Sequence, residues 1–112
     1  MADCIFCAIA AGEGNAKYAH RDDSVVAIED INPAAPVHVL VIPKQHIEDA
    51  RGVTDSELLS AMFRIAHQVA DERGVSESGY RLVFNTGRDA GQSVNHVHLH
   101  VLGGRSMAWP PG

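Results

Sequence analysis

The segment that most restricts the fold of this chain lies near its C-terminus, where three histidines alternate with aliphatic residues between positions 96 and 102. Successive side chains of a β-strand point to opposite faces, so a strand here would place His96, His98 and His100 on the same face. The other face would be aliphatic and would pack against a hydrophobic core. Because strand propensity does not favour three imidazoles in phase, the pattern indicates a functional cluster.

The strand spacing also limits how these histidines can bind a metal. Neighbouring positions on one face lie about 6.5–7 Å apart, and the outer two positions lie about 13 Å apart. One ion can therefore bind two adjacent histidines, but it cannot bind all three while the strand stays regular. A metal site here would leave at least one imidazole for another task.

The two cysteines, Cys4 and Cys7, form a C-x-x-C pair near the N-terminus. Asp3 is a candidate N-cap for a short helix over residues 4–9 that ends near Gly12, and helical spacing would put both sulfurs on one face. The pair suits metal binding or redox chemistry, although two small side chains packing inward would give the same pattern. A thioredoxin-like motif is disfavoured because no strand precedes the pair.

Hydrophobic periodicity predicts an α+β fold for the chain. Strands are predicted at 18–21, 25–29, 38–42, 80–85 and 96–102. A long helix begins at a capping box over residues 54–57 and ends before Gly74. The order of one short helix, three strands, one long helix and two strands predicts a mostly antiparallel sheet of about five strands.

Charge and length narrow the classes of function. The formal net charge is -5 and no basic patch is present, which disfavours binding of nucleic acid or of an anionic membrane. No apolar run reaches the ~18 residues of a membrane span. We therefore expect a soluble, cytoplasmic protein with a single domain over residues 1–112.

Polar residues near the strand ends supply further candidates for binding. Asp30 and Asn32 follow a strand and are placed either to bind sugar hydroxyls or to cap a turn. The loop at 86–93 contains two glycines. Its backbone N–H groups, with Gln92 and Ser93, suit an anion, although a plain hairpin loop is the simpler interpretation.

The residue types favour phosphoryl or nucleotidyl transfer. Neutral imidazole is a nucleophile at pH 7 and forms covalent intermediates with phosphorus, while neighbouring imidazoles can bind oxygens or protonate a leaving group. The chain has no serine in a nucleophile elbow, no phosphate-binding P-loop and no acidic cluster of metal ligands. A phosphohistidine-type intermediate is therefore the favoured chemistry.

The pattern at 96–102 is that of the histidine triad superfamily, and the chain resembles this family along essentially its whole length. Further matching segments are 30–33, 38–44, 79–82, Asn85 and 91–93. The C-terminal segments 103–105 and 109–112 resemble the nucleoside phosphoramidase (Hint) branch. The resemblance implies a homodimer whose sheets join edge to edge.

The same resemblance implies a hydrolase of purine nucleoside 5′-phosphoramidates, with AMP or GMP derivatives as substrates. His98 would attack the α-phosphorus, His100 would contact the phosphate and the leaving group, and His38 would support the cluster with His96. The implied substrate-binding residues are Phe6, Asp30, Ile31, Asn85, Gln92, Ser93 and Trp109, with Trp109 reaching the partner's site.

A zinc site is implied by similarity to other bacterial members of the superfamily. The implied ligands are Cys4, Cys7, His46 and His96. Four nitrogen and sulfur ligands with no open position are typical of structural zinc, so the chemistry itself would need no metal.

Three other functions fit the same residues. The chain could be a non-catalytic nucleotide-binding module that acts through a partner. It could instead hydrolyse dinucleoside polyphosphates, as a sister branch of the superfamily does. A zinc hydrolase with a metal-bound water is the third alternative.

Overall fold

Five strands form one sheet in which every neighbouring pair is antiparallel. This computed structural model describes residues 4–112. The elements are α1 (Ile5–Ala10), β1 (Tyr18–Arg21), β2 (Val25–Glu29), β3 (Val37–Pro43), α2 (Ser56–Glu72), β4 (Tyr80–Phe84) and β5 (Leu99–Gly103), with short 3-10 turns at Ala50–Gly52 and Arg88–Ala90. The strand order in the sheet is β1-β2-β3-β5-β4. The predicted α+β class, with one short helix, one long helix and an antiparallel five-stranded sheet, is confirmed.

The central strand β3 is buried on both of its faces, which explains its nearly continuous aliphatic sequence. Val39 and Val41 pack into the core beneath α2, together with Met62 of that helix. Leu40 and Ile42 pack on the other face, against α1. The long helix therefore covers one face of the sheet, and the short helix covers part of the face that carries the histidines.

The strand predicted at 96–102 is only partly present, because β5 begins at Leu99. The register pairs Val41 with Leu99, so Pro43 comes opposite Val97 two residues further along. Proline has no N–H to donate to the ladder. The N–H of Val97 instead donates to the Ile47 carbonyl at 2.7 Å. The prediction that all three histidines share one strand face is therefore wrong, and only His100 lies in β5.

The helix starts also differ in detail from the predictions. The N-cap of α2 is Asp55 rather than Thr54, and its carboxylate accepts the N–H groups of Glu57 and Leu58. Asp3, the predicted cap of α1, lies outside the described residues. Cys4 occupies the N-cap of α1, where its sulfur accepts the Cys7 N–H at 3.3 Å. Among residues 4–112, neither helix combines the length and apolarity that a membrane crossing requires.

A histidine cluster joined to a cysteine pair

The four predicted metal ligands come together where α1 meets the segment before β5. One ligand atom from each of Cys4, Cys7, His46 and His96 lies within 4.8 Å of all the others. The His96 Nδ1 atom lies 3.3 Å from the Cys4 sulfur and 3.5 Å from the Cys7 sulfur. The His46 Nδ1 atom lies 3.3 Å from the Cys7 sulfur. Residues from three separate parts of the sequence thus present two sulfurs and two nitrogens to one point.

These distances fit a tetrahedral ion. Bonds of about 2.3 Å to sulfur and about 2.0–2.1 Å to nitrogen put the ligand atoms about 3.6 Å apart in a tetrahedral site. The far nitrogen of His96, Nε2, donates to the Pro43 carbonyl at 2.8 Å, which leaves Nδ1 as the lone-pair atom facing the sulfurs. Burial and the neighbouring Cys4 raise the pKa of the Cys7 thiol, which disfavours the thiolate form. A bound cation would stabilise the thiolate and offset this effect. The residues present therefore fit a zinc ion.

A backbone hydrogen bond determines which ring nitrogen of His98 carries the proton. Its Nδ1 lies 2.8 Å from the His96 carbonyl oxygen, which can only accept, so Nδ1 carries the proton. In the neutral ring, Nε2 is then an unprotonated lone pair. The residue is 6% exposed, and the ring of Phe6 packs edge-to-face against it with centroids 5.0 Å apart. The arrangement holds an imidazole with its basic nitrogen fixed in direction.

His100 lies beside His98, with the two ring centroids 4.9 Å apart. Burial, together with His98 and His38, lowers the pKa of His100 to about 4. Burial also lowers the pKa of His38, although the nearby Asp30 opposes this shift. The side chain of Asn85 reaches to 3.5 Å from the His100 Nε2. At neutral pH His38 and His100 are therefore uncharged imidazoles.

The residues predicted to contact the base and the sugar differ in their exposure and in their hydrogen-bond partners. Phe6 is 7% exposed and supports the histidine rings from below, whereas Ile31 is 91% exposed. One oxygen of Asp30 accepts the Asn32 N–H at 2.8 Å, which is the turn-capping geometry. Its second oxygen lies 3.4 Å from the His38 Nε2. Asp30 thus contacts both the loop after β2 and the histidine cluster.

The loop before the histidines is braced by Gln92. Its carboxamide oxygen accepts the Gly87 N–H, and its nitrogen donates to the carbonyls of Glu48 and Val94. Both amide hydrogens are therefore engaged with backbone, so the side chain shapes the loop and donates nothing to the cluster in this arrangement. Ser93 is exposed on the same loop.

The C-terminal tail lies along the edge strand β4. The Arg81 side chain donates to the Ala108 carbonyl at 2.8 Å, and Trp109 is 83% exposed. The Phe6 ring contacts His96 and His98, whereas Trp109 makes no aromatic contact with any of the described residues.

Sequence reasoning missed the backbone groups of the site. The carbonyls of His96 and Pro43 fix the proton positions of two rings, yet a carbonyl is present at every residue and leaves no mark in the sequence. Pro43 alone could have been recognised from the sequence, because a proline at the end of a buried strand ends the hydrogen-bond ladder to the neighbouring strand.

Comparison with known proteins places these features in a wider group. The HIT domain family matches residues 11–107. A purine nucleoside phosphoramidase of Escherichia coli K12 is 39% identical over 107 residues, which cover 94% of this chain and 90% of that protein. A solved HIT family hydrolase from Legionella pneumophila is 50% identical with a TM-score of 0.95, and the match covers 98% of this chain and 100% of that one. A solved zinc-bound histidine triad family protein from Mycobacterium smegmatis is 34% identical with a TM-score of 0.81, over 93% of this chain and 76% of that one.

Proposed function

Since this chain belongs to the HIT domain family, we propose that it hydrolyses purine nucleoside 5′-phosphoramidates through a nucleotidyl intermediate on His98. The observation that carries the proposal is the hydrogen bond from the His98 Nδ1 to the His96 carbonyl at 2.8 Å, which leaves Nε2 as a directed lone pair. The name of the Escherichia coli relative supports the substrate class.

The first step forms a bond between the His98 Nε2 and the α-phosphorus. The Nε2 lone pair supplies the electrons, and the phosphorus–nitrogen bond of the substrate breaks. Its electron pair goes to the amine nitrogen, which also takes up a proton from solvent water and departs as the neutral amine. The His96 carbonyl stabilises the positive charge on the nucleotidylated ring, since it already accepts the Nδ1 proton.

The second step returns the enzyme to its starting state. A water oxygen attacks the phosphorus, the bond to His98 breaks, and its electron pair returns to Nε2. The nucleoside monophosphate leaves with the hydroxyl of the water, and the remaining proton replaces the one taken up by the amine. Overall, one water is consumed for one phosphorus–nitrogen bond.

The groups around His98 bind the rest of the substrate. We assign the nonbridging oxygens to His100 and Asn85, whose side-chain nitrogens lie 3.5 Å apart. Backbone N–H groups of the loop before the histidines, with Ser93, would add further donors. We assign the ribose hydroxyls to Asp30 and the base to Phe6 and the exposed side chain of Ile31. Trp109 would act in a homodimer joined at β4, which is one edge of the sheet.

Zinc, when bound, would act as a closed four-ligand structural ion that stabilises the fold. The ligands would be Cys4, Cys7, His46 and His96. His96 then has two tasks in this chain, because its ring faces the sulfurs while its carbonyl holds the proton of His98. His96 would therefore connect the metal site to the nucleophile without entering the reaction.

Steady-state turnover of adenosine 5′-phosphoramidate by the wild type, His98→Ala and His67→Asn tests the assignment. His67 lies exposed on α2 and serves as the control histidine. We expect the wild type and His67→Asn to turn over alike, and His98→Ala to lose at least about 1,000-fold in kcat/KM.

The outcome also separates the alternative functions. Diadenosine polyphosphate cleaved faster than the phosphoramidate would favour the dinucleotide hydrolase. Nucleotide binding without turnover of either substrate would favour the binding module. Full activity in His98→Ala would overturn the nucleophile assignment.

A further inference from the structure

The four proposed zinc ligands are two imidazoles and two thiols, and only the thiols undergo reversible oxidation. Cys4 and Cys7 are free thiols, and they are the only two cysteines of the sequence. Both side chains are half-buried, so a small solute can reach them from solvent. Their Cys-X-X-Cys spacing is also that of the reactive thiols in disulfide oxidoreductases. This pair, called the dithiol below, is therefore a candidate for oxidation as well as for metal binding.

The local backbone allows the two sulfurs to approach each other. They lie within 4.8 Å of one another, whereas the sulfurs of a disulfide are about 2.05 Å apart. Cys7 lies in the first turn of α1, but Cys4 is the N-cap, with φ -86° and ψ 112° outside the helical region. The Cys4 sulfur already points back over this turn, because it accepts the Cys7 N–H at 3.3 Å. Closure therefore needs side-chain rotation and a small shift of a residue that precedes the helix.

We propose that the dithiol is a redox-modification site, at which a hydroperoxide converts the two thiols into a Cys4–Cys7 disulfide that excludes zinc. The metal site and the modification site are then the same two sulfurs in two oxidation states. Formation of the disulfide does not rest on the proposed function, because it needs only the dithiol and the oxidant.

Hydrogen peroxide, the simplest hydroperoxide, balances the reaction in two steps. One sulfur attacks a peroxide oxygen, so that an S–O bond forms, the O–O bond breaks and the departing hydroxide leaves as water with the proton of that thiol. The second sulfur then attacks the sulfur of the resulting sulfenic acid. The S–S bond forms, the S–O bond breaks, and the hydroxide leaves as water with the proton of the second thiol. The dithiol loses two electrons, which reduce the peroxide.

Zinc and the disulfide compete for the same sulfurs. Zinc binds cysteine as the thiolate, whereas the sulfurs of a disulfide carry no negative charge. Oxidation would therefore leave His46 and His96 as the remaining two of the four ligands. Because the two states exclude each other, bound zinc should protect the thiols from the peroxide, and oxidation should release the zinc.

The helical turn that would change on oxidation also supports His98. Phe6 lies between the two cysteines, and its ring packs edge-to-face against the rings of His96 and His98, with centroids 6.0 Å and 5.0 Å apart. The His96 Nδ1 lies 3.3 Å and 3.5 Å from the two sulfurs, while its carbonyl accepts the His98 proton. We therefore expect oxidation to lower turnover as well as zinc binding. This effect on turnover rests on the proposed function.

Intact-protein mass spectrometry of the full chain tests the modification. Reduced, chelated wild type would be treated with stoichiometric hydrogen peroxide in slightly alkaline buffer, and the free thiols would then be labelled with N-ethylmaleimide in urea. We expect a mass lower by two hydrogen atoms, no maleimide label, and recovery of both thiols after dithiothreitol. With two cysteines in the chain, this mass assigns the bond without peptide mapping. Sulfinic acid on either cysteine, a disulfide between two chains, or two thiols that stay free would each overturn the proposal.

Competition with zinc tests the exclusion. Free zinc buffered at 100 times its Kd should slow disulfide formation in the wild type at least about tenfold, and a chromogenic chelator should detect zinc released as the disulfide forms. His46→Asn is the matched control, because it keeps both thiols but lacks one ligand. It should form the disulfide at the wild-type rate without metal and lose the protection by zinc. Equal rates with and without zinc in the wild type, or zinc retained by the oxidised chain, would contradict the exclusion.

Turnover of adenosine 5′-phosphoramidate links the disulfide to His98. The oxidised wild type is compared with the reduced, chelated wild type, so that both lack zinc and differ only in the disulfide. We expect the oxidised form to lose about tenfold in kcat/KM, because the Phe6 turn shifts against His98, and to recover it on reduction. Equal turnover of the two forms would reject the link to His98. A disulfide that forms in a chain without phosphoramidate turnover in either state would reject the proposed function and leave the modification site intact.

Discussion

Replacing Cys4 by serine or by alanine separates the two roles of its sulfur. In the folded chain the sulfur caps α1 by accepting the Cys7 N–H at 3.3 Å, and it also lies 3.3 Å from the His96 Nδ1 at the proposed zinc site. Serine is a good N-cap but a poor zinc ligand, so Cys4→Ser removes only the metal role. Cys4→Ala removes both roles.

The two roles have separable magnitudes. Loss of an N-cap costs about 1 kcal/mol, so in chelated protein Cys4→Ala should be less stable than Cys4→Ser by about this amount. A ligand that binds only the folded state stabilises it by about 2.7 kcal/mol when its free concentration is 100 times its Kd. The wild type should gain at least this much from zinc, while both variants gain far less because one of the four ligands is missing.

Urea unfolding of the three proteins, each with chelator and with buffered zinc, measures these differences. The metal content of each protein after dialysis supplies an independent readout. The reasoning would be refuted if zinc stabilised Cys4→Ser as much as the wild type, or if the wild type neither bound zinc nor gained stability. An unchanged gap between the serine and alanine variants in both conditions would confirm that capping and metal binding are independent.

Two further results are expected from the same site. Because burial, His98 and His38 lower the pKa of His100 to about 4, the unfolded chain takes up this proton near pH 6.5 and the folded chain only near pH 4. The contribution of His100 to the free energy of unfolding is therefore fully present above pH 6.5 and is lost as the pH drops towards 4. The loss is about 1–2 kcal/mol after discounting for solvent exposure. Urea unfolding of chelated wild type and His100→Gln between pH 7 and 4.5 checks this, and an equal fall in both would contradict it. Deleting residues 109–112 should change the selectivity between amine leaving groups more than nucleotide affinity, as measured by kcat/KM across a series of phosphoramidates; unchanged selectivity would remove Trp109 from the site.

Much of the fold was readable from local patterns. The apolar run at 25–28, the aliphatic run before Pro43 and the amphipathic stripe from Leu58 to Val69 each indicate one element, and the structure contains all three. The C-x-x-C pair and His46 were brought to His96 as the family resemblance implied. These features could be predicted because they depend on the types of side chain, and the sequence gives those types.

The predictions failed where one element constrains another at long range. The alternation at 96–102 was interpreted as a full strand, but Pro43 stands opposite Val97 and ends the ladder there. That pairing depends on register, which the sequence of one strand does not reveal. The proton position of His98 depends on the backbone carbonyl of His96, and no residue type marks such a contact.

Intact-protein mass spectrometry of the nucleotidyl intermediate tests the role of His98 most directly. Wild type and His98→Ala would be mixed with adenosine 5′-phosphoramidate and quenched within the first turnover, without acid, because a phosphorus–nitrogen bond to histidine is acid-labile. The account predicts a transient adenylate adduct on the wild type and none on the variant. Release of AMP by the wild type with no adduct at any time, or an adduct of equal amount on His98→Ala, would contradict it.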